Sequence, residues 1–349
     1  MLLVAAEFRF KPGAEDCEIR LDGDIERGDL EKLKSQLPDG MGPGKAGPTM
    51  CLNSKGGDFM EGLKLAEFVS GGIATTIPAN SSCESACGWI FMAGSHLDTG
   101  GSEWSRGMDS RATLSFHAPF IDPSSLAMIG HQSGSVTAKA IIEAYSQAVS
   151  ELGRGLLQLA QQHASTTAEV LVPPTLLAEA LVRVGDKKLL VDTTGAVIRW
   201  SINVSGYAGV IPRSKTDVIR ACVVGSAFGN EFWNDDYLSI AEAEEYEAFY
   251  DSRSRTLVAE MVVEGLAHIA CEIEFEFDEN LSSLKDGHIA ARINVGSDES
   301  VTKSWIRDRY ASKSIELPDF AVLNPKTLLK HLVDISSVPT LSAAIMISY

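Results

Sequence analysis

The stretch Asn80-Ser-Ser-Cys-Glu-Ser-Ala-Cys-Gly-Trp-Ile-Phe-Met-Ala-Gly94 carries the strongest structural signal in the chain. A polar run from Pro78 to Ser82 leads into small and apolar residues, which predicts a turn followed by a buried helix. Ser85 stands where that helix begins. Because the free N–H groups and the dipole at a helix start favour negative charge, this position suits a nucleophilic hydroxyl beside an oxyanion hole. A serine there is equally typical of a simple helix cap.

The segments on either side predict alternating strands and helices. The predicted strands are residues 17–25, 49–52, 73–77 and 112–119, and the predicted helices end at residues 37 and 70. Such alternation is typical of an α/β core with βαβ crossovers. The polar, Gly-rich residues 95–111 are interpreted as a loop inserted between Ser85 and His117, and residues 135–164 have a helical pattern.

A Gly-Gly pair, a Ser-Ala pair and a His-x-Pro motif follow one another in an order that resembles the ClpP-like serine peptidases of the ClpP/crotonase superfamily. The matching segments are residues 53–57, 62–63, 84–86, 93–94 and 116–119, and the resemblance covers roughly residues 18–202. The chain looks closest to the secreted or periplasmic-type bacterial members, which also carry cysteines around the nucleophile. The resemblance implies a ClpP/crotonase-like βαβ spiral core and homo-oligomerisation.

The resemblance also implies a serine-type peptidase that works through an acyl-enzyme, with a peptide or protein as its partner. Ser85 would be the nucleophile and His117, within Phe-His-Ala-Pro, the general base. The third triad member is expected near residues 186–192, where Asp186 is the first choice and Asp192 the second. If neither serves, the site would be a Ser-His dyad or a degenerate one.

The oxyanion hole is expected from backbone amides, because a developing oxyanion needs fixed N–H donors. Gly56 and Gly57 can present an amide with no side chain in the way, and Ala86 follows the nucleophile directly. Lys55 replaces the proline that usually precedes the glycine pair in the family, which could alter the geometry of this turn.

Three other interpretations stay open. The chain could be a ClpP-like scaffold or binding protein whose triad has decayed, as the doubtful aspartate and the inserted loop suggest. It could be a crotonase-type acyl-CoA enzyme, although that class typically uses carboxylates and not a Ser-His pair. It could also use a Ser/Lys dyad with Lys139, although His117 is better placed by motif.

Composition excludes some classes of partner. The chain of 349 residues has 47 acidic and 30 basic residues, a net charge of −17, which argues against nucleic acid and anionic membrane surfaces. No apolar run reaches the length of about 18 residues that a membrane-spanning helix needs. The cysteines and histidines lack zinc-ligand spacing, and neither a metal nor another cofactor is expected.

Six cysteines, an even number, permit three disulfides in an oxidising compartment. Cys222 and Cys271 could bridge two strands or remain buried thiols, whereas Cys83 and Cys87 could each bond elsewhere and clamp the Ser85 turn. Cysteine usage and the resemblance suggest a periplasmic or secreted protein, although the segment Met1–Phe8 is too short and lacks the basic region of a complete signal peptide.

After Asn203 the predicted elements change from alternating strands and helices to mainly strands. This change predicts two domains, a ClpP/crotonase-like domain over residues 1–206 and a β-rich domain over residues 207–349. The second domain is expected to contain strands over residues 218–224, 256–263, 268–277 and 287–295. No catalytic constellation is recognisable in it, and its role is left open.

Overall fold

The computed structural model describes residues 5–11, 17–42, 47–98, 101–119, 146, 150, 153–158, 161, 171–184, 187–207, 210–212, 214–227, 242–264, 268–277, 279, 284, 288–296, 313–323 and 326–331. The chain divides into two compact units, Met1–Val191 and Asp192–Tyr349. This division falls before the predicted boundary at residue 206. Most of the helix predicted over residues 135–164 lies outside the described residues. Within that range, the described residues 146, 150 and 153–158 are helical.

The first unit alternates strands with helices, as the sequence predicts. Its strands are β1 (Glu7–Phe10), β2 (Ile19–Asp22), β3 (Thr49–Asn53), β4 (Ala74–Ile77), β5 (Ser82–Glu84), β6 (Ser95–Asp98), β7 (Gly101–Trp104), β8 (Arg106–Asp109), β9 (Thr113–Phe116) and β10 (Leu189–Leu190). Its helices are α1 (Asp29–Gln36), α2 (Phe59–Val69), α3 (Ala86–Met92) and α4 (Pro174–Leu181). The expectation of a mixed α/β fold is confirmed.

Two sheets carry the first unit. In the larger one the strands follow the order β1-β2-β3-β4-β8, and every pair except β1–β2 is parallel. In the smaller one the order is β10-β9-β5, with β5 and β9 parallel. A single bridge between Ser54 and Cys83 links the end of β3 to β5. The ends of β3 and β5 therefore lie side by side.

The interpretation of residues 95–111 as a loop is wrong. Strands β6 and β7 form a hairpin, and β8 continues the larger sheet beside β4. Arg106 is buried in β8, where its Nη1 donates to the carbonyls of Met92 and Leu171 at 2.8 Å each. A charged residue with its hydrogen bonds satisfied can occupy an interior strand, although composition alone indicates a loop.

The second unit is built around a five-stranded antiparallel meander. Its elements are α5 (Thr194–Arg199), β11 (Asn203–Ser205), α6 (Lys215–Ala227), β12 (Glu242–Asp251), β13 (Thr256–Glu264), β14 (His268–Glu276), β15 (His288–Gly296) and β16 (Lys313–Pro318), followed by 3-10 turns at Asp319–Val322 and Leu329–His331. The strands follow one another in chain order across the sheet. The three predicted strands beyond residue 256 are confirmed.

The strand predicted over residues 218–224 is wrong, because this segment lies inside helix α6. Its β-branched residues indicate a strand by propensity, but they are buried against β14 and β15, and packing overrides propensity. The overlooked signal precedes the segment: Ser214 Oγ accepts a hydrogen bond from the Asp217 amide at 3.2 Å. That contact is typical of a helix N-terminus.

One face of the meander is apolar, and the other carries glutamates among apolar residues such as the exposed Phe249 and the buried pair Val262 and Ala270. On β14, Ile269, Cys271, Ile273 and Phe275 are buried, whereas Glu274 and Glu276, which follow the last two of them, are exposed. The Cα register places Glu247, Glu260 and Glu272 opposite one another on three neighbouring strands. Arg292 on the next strand forms an ion pair with Glu272. Among the described residues, the charged side chains of this outer face are therefore predominantly acidic.

Candidate active site

Ser85 occupies the turn between β5 and α3 in a conformation that L-residues rarely adopt. Its φ is 56° and its ψ is −122°. Such a conformation costs about 1–3 kcal/mol and persists only where the surrounding structure imposes it. Its side chain is partly exposed and forms no hydrogen bond with any other residue that the structure describes. A hydroxyl held on a sharp strand-to-helix turn stands clear of the sheet.

The smaller sheet brings Ser85 and His117 to the same edge. Strands β5 and β9 run parallel with Glu84 opposite Ser115, and Ser85 donates its amide to the Ser115 carbonyl at 3.0 Å. Ser85 directly follows β5 and His117 directly follows β9. Because parallel strands lie about 4.8 Å apart and end at the same edge, both side chains leave the sheet there.

Aromatic packing fixes helix α3 to strand β9. The ring centroids of Trp89 in α3 and Phe116 in β9 are 5.0 Å apart, and both side chains are almost completely buried. Phe116 immediately precedes His117. Helix α3, which carries the first amides after Ser85, is therefore held against the strand that ends at the candidate base.

The glycine pair lies directly against the Ser85 turn. A Cβ atom on Gly56 would lie 2.7 Å from Ser85 Cβ, and Gly56 has a φ of 102° that favours glycine. The Gly56 amide already donates to Ser54 Oγ at 3.1 Å. By contrast, the amides of Gly57 and Ala86 donate no hydrogen bond within the described part of the chain. Of the three predicted donors, Gly57 and Ala86 therefore have the N–H groups available.

His117 is oriented by the backbone. Its Nδ1 lies 2.8 Å from the carbonyl oxygen of Ala118. Because a carbonyl oxygen can only accept, Nδ1 carries the proton in this contact, which leaves Nε2 as the basic nitrogen. In serine hydrolases, a carboxylate usually holds the histidine in this tautomer.

The structure shows no contact between His117 and either aspartate predicted as the third triad member within the residues that it describes. Asp186 lies outside the described residues. Asp192 is exposed, and it is the first residue of the second unit, where its carbonyl accepts from the Leu329 amide at 2.8 Å. Strand β10, which precedes it, runs antiparallel to β9, so the chain moves away from the His117 end of β9 as it approaches Val191.

A buried carboxylate next to Ser85 was missed by sequence reasoning. Glu84 is 6% exposed, and its two carboxylate oxygens contact the ammonium groups of Lys55 and Lys188, one each. Burial tends to raise the pKa of Glu84, but the hydrogen bonds from Lys188 and Lys55 outweigh it and hold the pKa below its ordinary value. Ser115 Oγ also donates to Glu84, at 3.4 Å. The sequence gives no signal for Lys188, which is far away along the chain.

The Ser85 turn is closed by a disulfide between Cys83 and Cys87. The expectation that each of these cysteines bonds elsewhere is therefore wrong. Cys83 lies in β5, Cys87 lies in the first turn of α3, and both are completely buried. The other pairs are Cys17–Cys51 and Cys222–Cys271, the second of which links α6 to β14. Three disulfides are compatible with an extracellular or periplasmic location.

Comparison with protein-family models finds no match to this chain, and comparison with curated protein sequences finds none either. Among the described residues, no helix is long and apolar enough to cross a membrane. Within the same part of the chain, no group of three or more His, Cys, Asp or Glu side chains is arranged to hold a metal ion.

Proposed function

We propose that the first unit is a serine-type peptidase of the ClpP/crotonase-like class, with Ser85 as nucleophile and His117 as general base. The observation that carries the proposal is the Ser85 turn, in which a strained serine begins a helix and packs against Gly56, the first residue of the glycine pair. Strain of this kind is concentrated at functional sites. A serine that only capped α3 would accept a hydrogen bond from its first turn, and Ser85 forms no such bond.

The proposed chemistry follows from the donors and the base. His117 Nε2 takes the proton of the Ser85 hydroxyl as its oxygen attacks the peptide carbonyl. The amides of Gly57 and Ala86 stabilise the negative charge on the tetrahedral intermediate. The imidazolium then gives its proton to the leaving amine, and water hydrolyses the acyl-enzyme by the same route in reverse.

The fold suggests how a substrate would lie. An extended peptide could pair with the backbone beside Gly56 and Gly57, where β3 has ended and the chain has not yet entered α2. A periplasmic or secreted enzyme is consistent with the three disulfides. Homo-oligomerisation, which the resemblance implies, belongs to the same proposal.

Labelling with a fluorophosphonate probe tests the proposed nucleophile. We expect one label per chain on the folded, oxidised wild type, and none on Ser85→Ala, because the probe reacts only with an activated serine. His117→Ala should slow labelling by about a thousandfold or more through loss of the base. Intact mass and peptide mapping provide the measurement.

The control for labelling is Ser35→Ala, since Ser35 is an exposed serine on α1 and should not affect the reaction. Circular dichroism would establish that each variant is folded. A folded, oxidised wild type that takes up no label would instead support a decayed scaffold. Label on any serine other than Ser85 would contradict the proposed site.

The Ala118 carbonyl leads to a prediction for the aspartates. If that carbonyl alone holds Nδ1 of His117, Asp186→Asn and Asp192→Asn should label within about threefold of the wild-type rate. If a carboxylate were the third triad member, its removal would slow the reaction by about a thousandfold to ten-thousandfold. The pseudo-first-order labelling rates of the two variants distinguish these cases, and a loss of that size in either would identify the acid.

A further inference from the structure

Lys55, Glu84 and Lys188 form a compact charged group, hereafter the lysine–glutamate cluster. Both ammonium groups contact the same carboxylate, one at each oxygen. The carboxylate is sheltered, with 6% of the Glu84 side chain exposed, whereas the side chains of Lys55 and Lys188 are 61% and 41% exposed. The negative charge of the cluster is therefore inside and its positive charges face solvent.

Each member of the cluster is attached to one part of the candidate active site. Glu84 directly precedes Ser85. Lys55 directly precedes Gly56, whose backbone packs against the Ser85 turn. Lys188 directly precedes β10, where Leu189 pairs with Phe116, so continuing that antiparallel register places Lys188 opposite His117. The cluster therefore lies where the nucleophile, the glycine pair and the base converge.

The charges of the cluster do not cancel. Two ammonium groups and one carboxylate leave a net charge of +1, in a chain whose total is −17. If the cluster served only to neutralise a buried carboxylate, one lysine would be enough. The buried Glu61 on α2 has one lysine, Lys64 at 3.0 Å, and its other carboxylate oxygen accepts from the Leu30 amide at 2.9 Å. The second lysine therefore leaves the cluster one positive charge beyond neutrality.

We propose that the lysine–glutamate cluster is an anion subsite through which the enzyme prefers peptides with a carboxylate close to the scissile bond. The inference rests on the proposed peptidase function. Solvent-facing ammonium groups pair readily with carboxylates, and an attraction between partly desolvated charges is strong enough to decide between substrates. The carboxylate can come from an acidic side chain or from a free C-terminus, and the test separates these sources.

The test uses three labelled peptides of one parent sequence. One has a Glu side chain and an amidated C-terminus, one has Gln and a free C-terminus, and one has Gln and an amidated C-terminus. Binding is measured by fluorescence anisotropy on full-length, oxidised Ser85→Ala, which cannot turn the peptides over. The same protein carrying Lys55→Met or Lys188→Met is then compared with one carrying Lys64→Met, the matched lysine beside a buried glutamate.

We expect one or both carboxylate peptides to bind about tenfold more tightly than the neutral peptide, equivalent to about 1.4 kcal/mol. Lys55→Met and Lys188→Met should each remove most of this preference, whereas Lys64→Met should leave it intact. If the lysine variants weaken the binding of the Glu peptide alone, the subsite binds an acidic side chain. If they weaken the binding of the free-acid peptide alone, it binds a C-terminal carboxylate. The proposal would be overturned if Ser85→Ala with its native lysines bound all three peptides equally. It would also be overturned if Lys55→Met and Lys188→Met weakened the binding of all three peptides equally.

Because this readout is binding, its outcome is separate from that of the peptidase proposal. Failure of fluorophosphonate labelling together with a lysine-dependent carboxylate preference would reject catalysis and keep the subsite. Labelling at Ser85 together with no preference would keep catalysis and reject the subsite. Salt dependence adds a further check, since the preference should shrink as ionic strength rises and screens the cluster.

Discussion

Gly57→Ala is expected to destabilise the first unit by about 2–6 kcal/mol and to remove reactivity at Ser85. Gly57 has a φ of 138°, which an alanine adopts only at a cost of about 1–3 kcal/mol. In addition, its new Cβ would lie 2.1 Å from the carbonyl oxygen of Ile25, and displacing packed atoms costs about 1–3 kcal/mol more. The turn must move, and the amide proposed for the oxyanion hole moves with it.

Urea unfolding, with amide hydrogen exchange to assign the transition to the first unit, measures the stability change, and fluorophosphonate labelling measures reactivity. Gly40→Ala is the matched control, because Gly40 has a similarly positive φ of 94° but no atom within 4 Å of an added Cβ. Gly40→Ala should lower the free energy of unfolding only by the backbone strain, about 1–2 kcal/mol, and leave the labelling rate of Ser85 unchanged. Equal effects of the two substitutions would show that the contact with Ile25 is unimportant.

Removing the Cys83–Cys87 disulfide by a double substitution to alanine is expected to slow Ser85 labelling by about tenfold to a hundredfold. The bridge spans the turn that holds Ser85 in its unusual conformation. If the turn relaxes, restoring it costs about 1–3 kcal/mol, and each 1.4 kcal/mol slows the reaction about tenfold. Global stability should fall by only about 2 kcal/mol, because the closed loop is short.

The control is the corresponding double alanine variant of Cys222 and Cys271, which are 49 residues apart. Loop-closure entropy predicts a larger loss of stability there, about 4 kcal/mol, with unchanged labelling at Ser85. The two variants should therefore rank in opposite order in the two assays. If the Cys83–Cys87 variant labelled at the wild-type rate while unfolding more easily, the bridge would be structural and not a device that positions Ser85.

Local patterns predicted the part of the fold that depends on neighbours in sequence. The strand, turn and helix around Ser85 could be read from small and apolar residues that follow a polar run, and the position of His117 at a strand end came from a short apolar stretch. The glycine pair was recognised because glycine is favoured where φ is positive, as it is at Gly56 and Gly57. The catalytic roles assigned to these residues remain predictions.

Features that depend on residues distant in sequence were missed. Nothing near Glu84 indicates that Lys188, far along the chain, completes its ion pairs. The partner of Cys83 could not be deduced, because counting cysteines does not give their pairing. Residues 218–224 were assigned to a strand because β-branched residues favour strands, whereas the contacts that make them helical come from a sheet formed later in the chain.

The acidic outer face of the meander affects how copies of the protein meet at high concentration. Strand β12 is an edge of this sheet, and an edge strand can template pairing with another chain. Here Glu247 on that strand is exposed, and the facing glutamates lie on the same surface. Repulsion between the glutamates of two such sheets opposes the close approach that backbone pairing requires, and this disfavours aggregation through β12. This repulsion weakens as salt screens the charges.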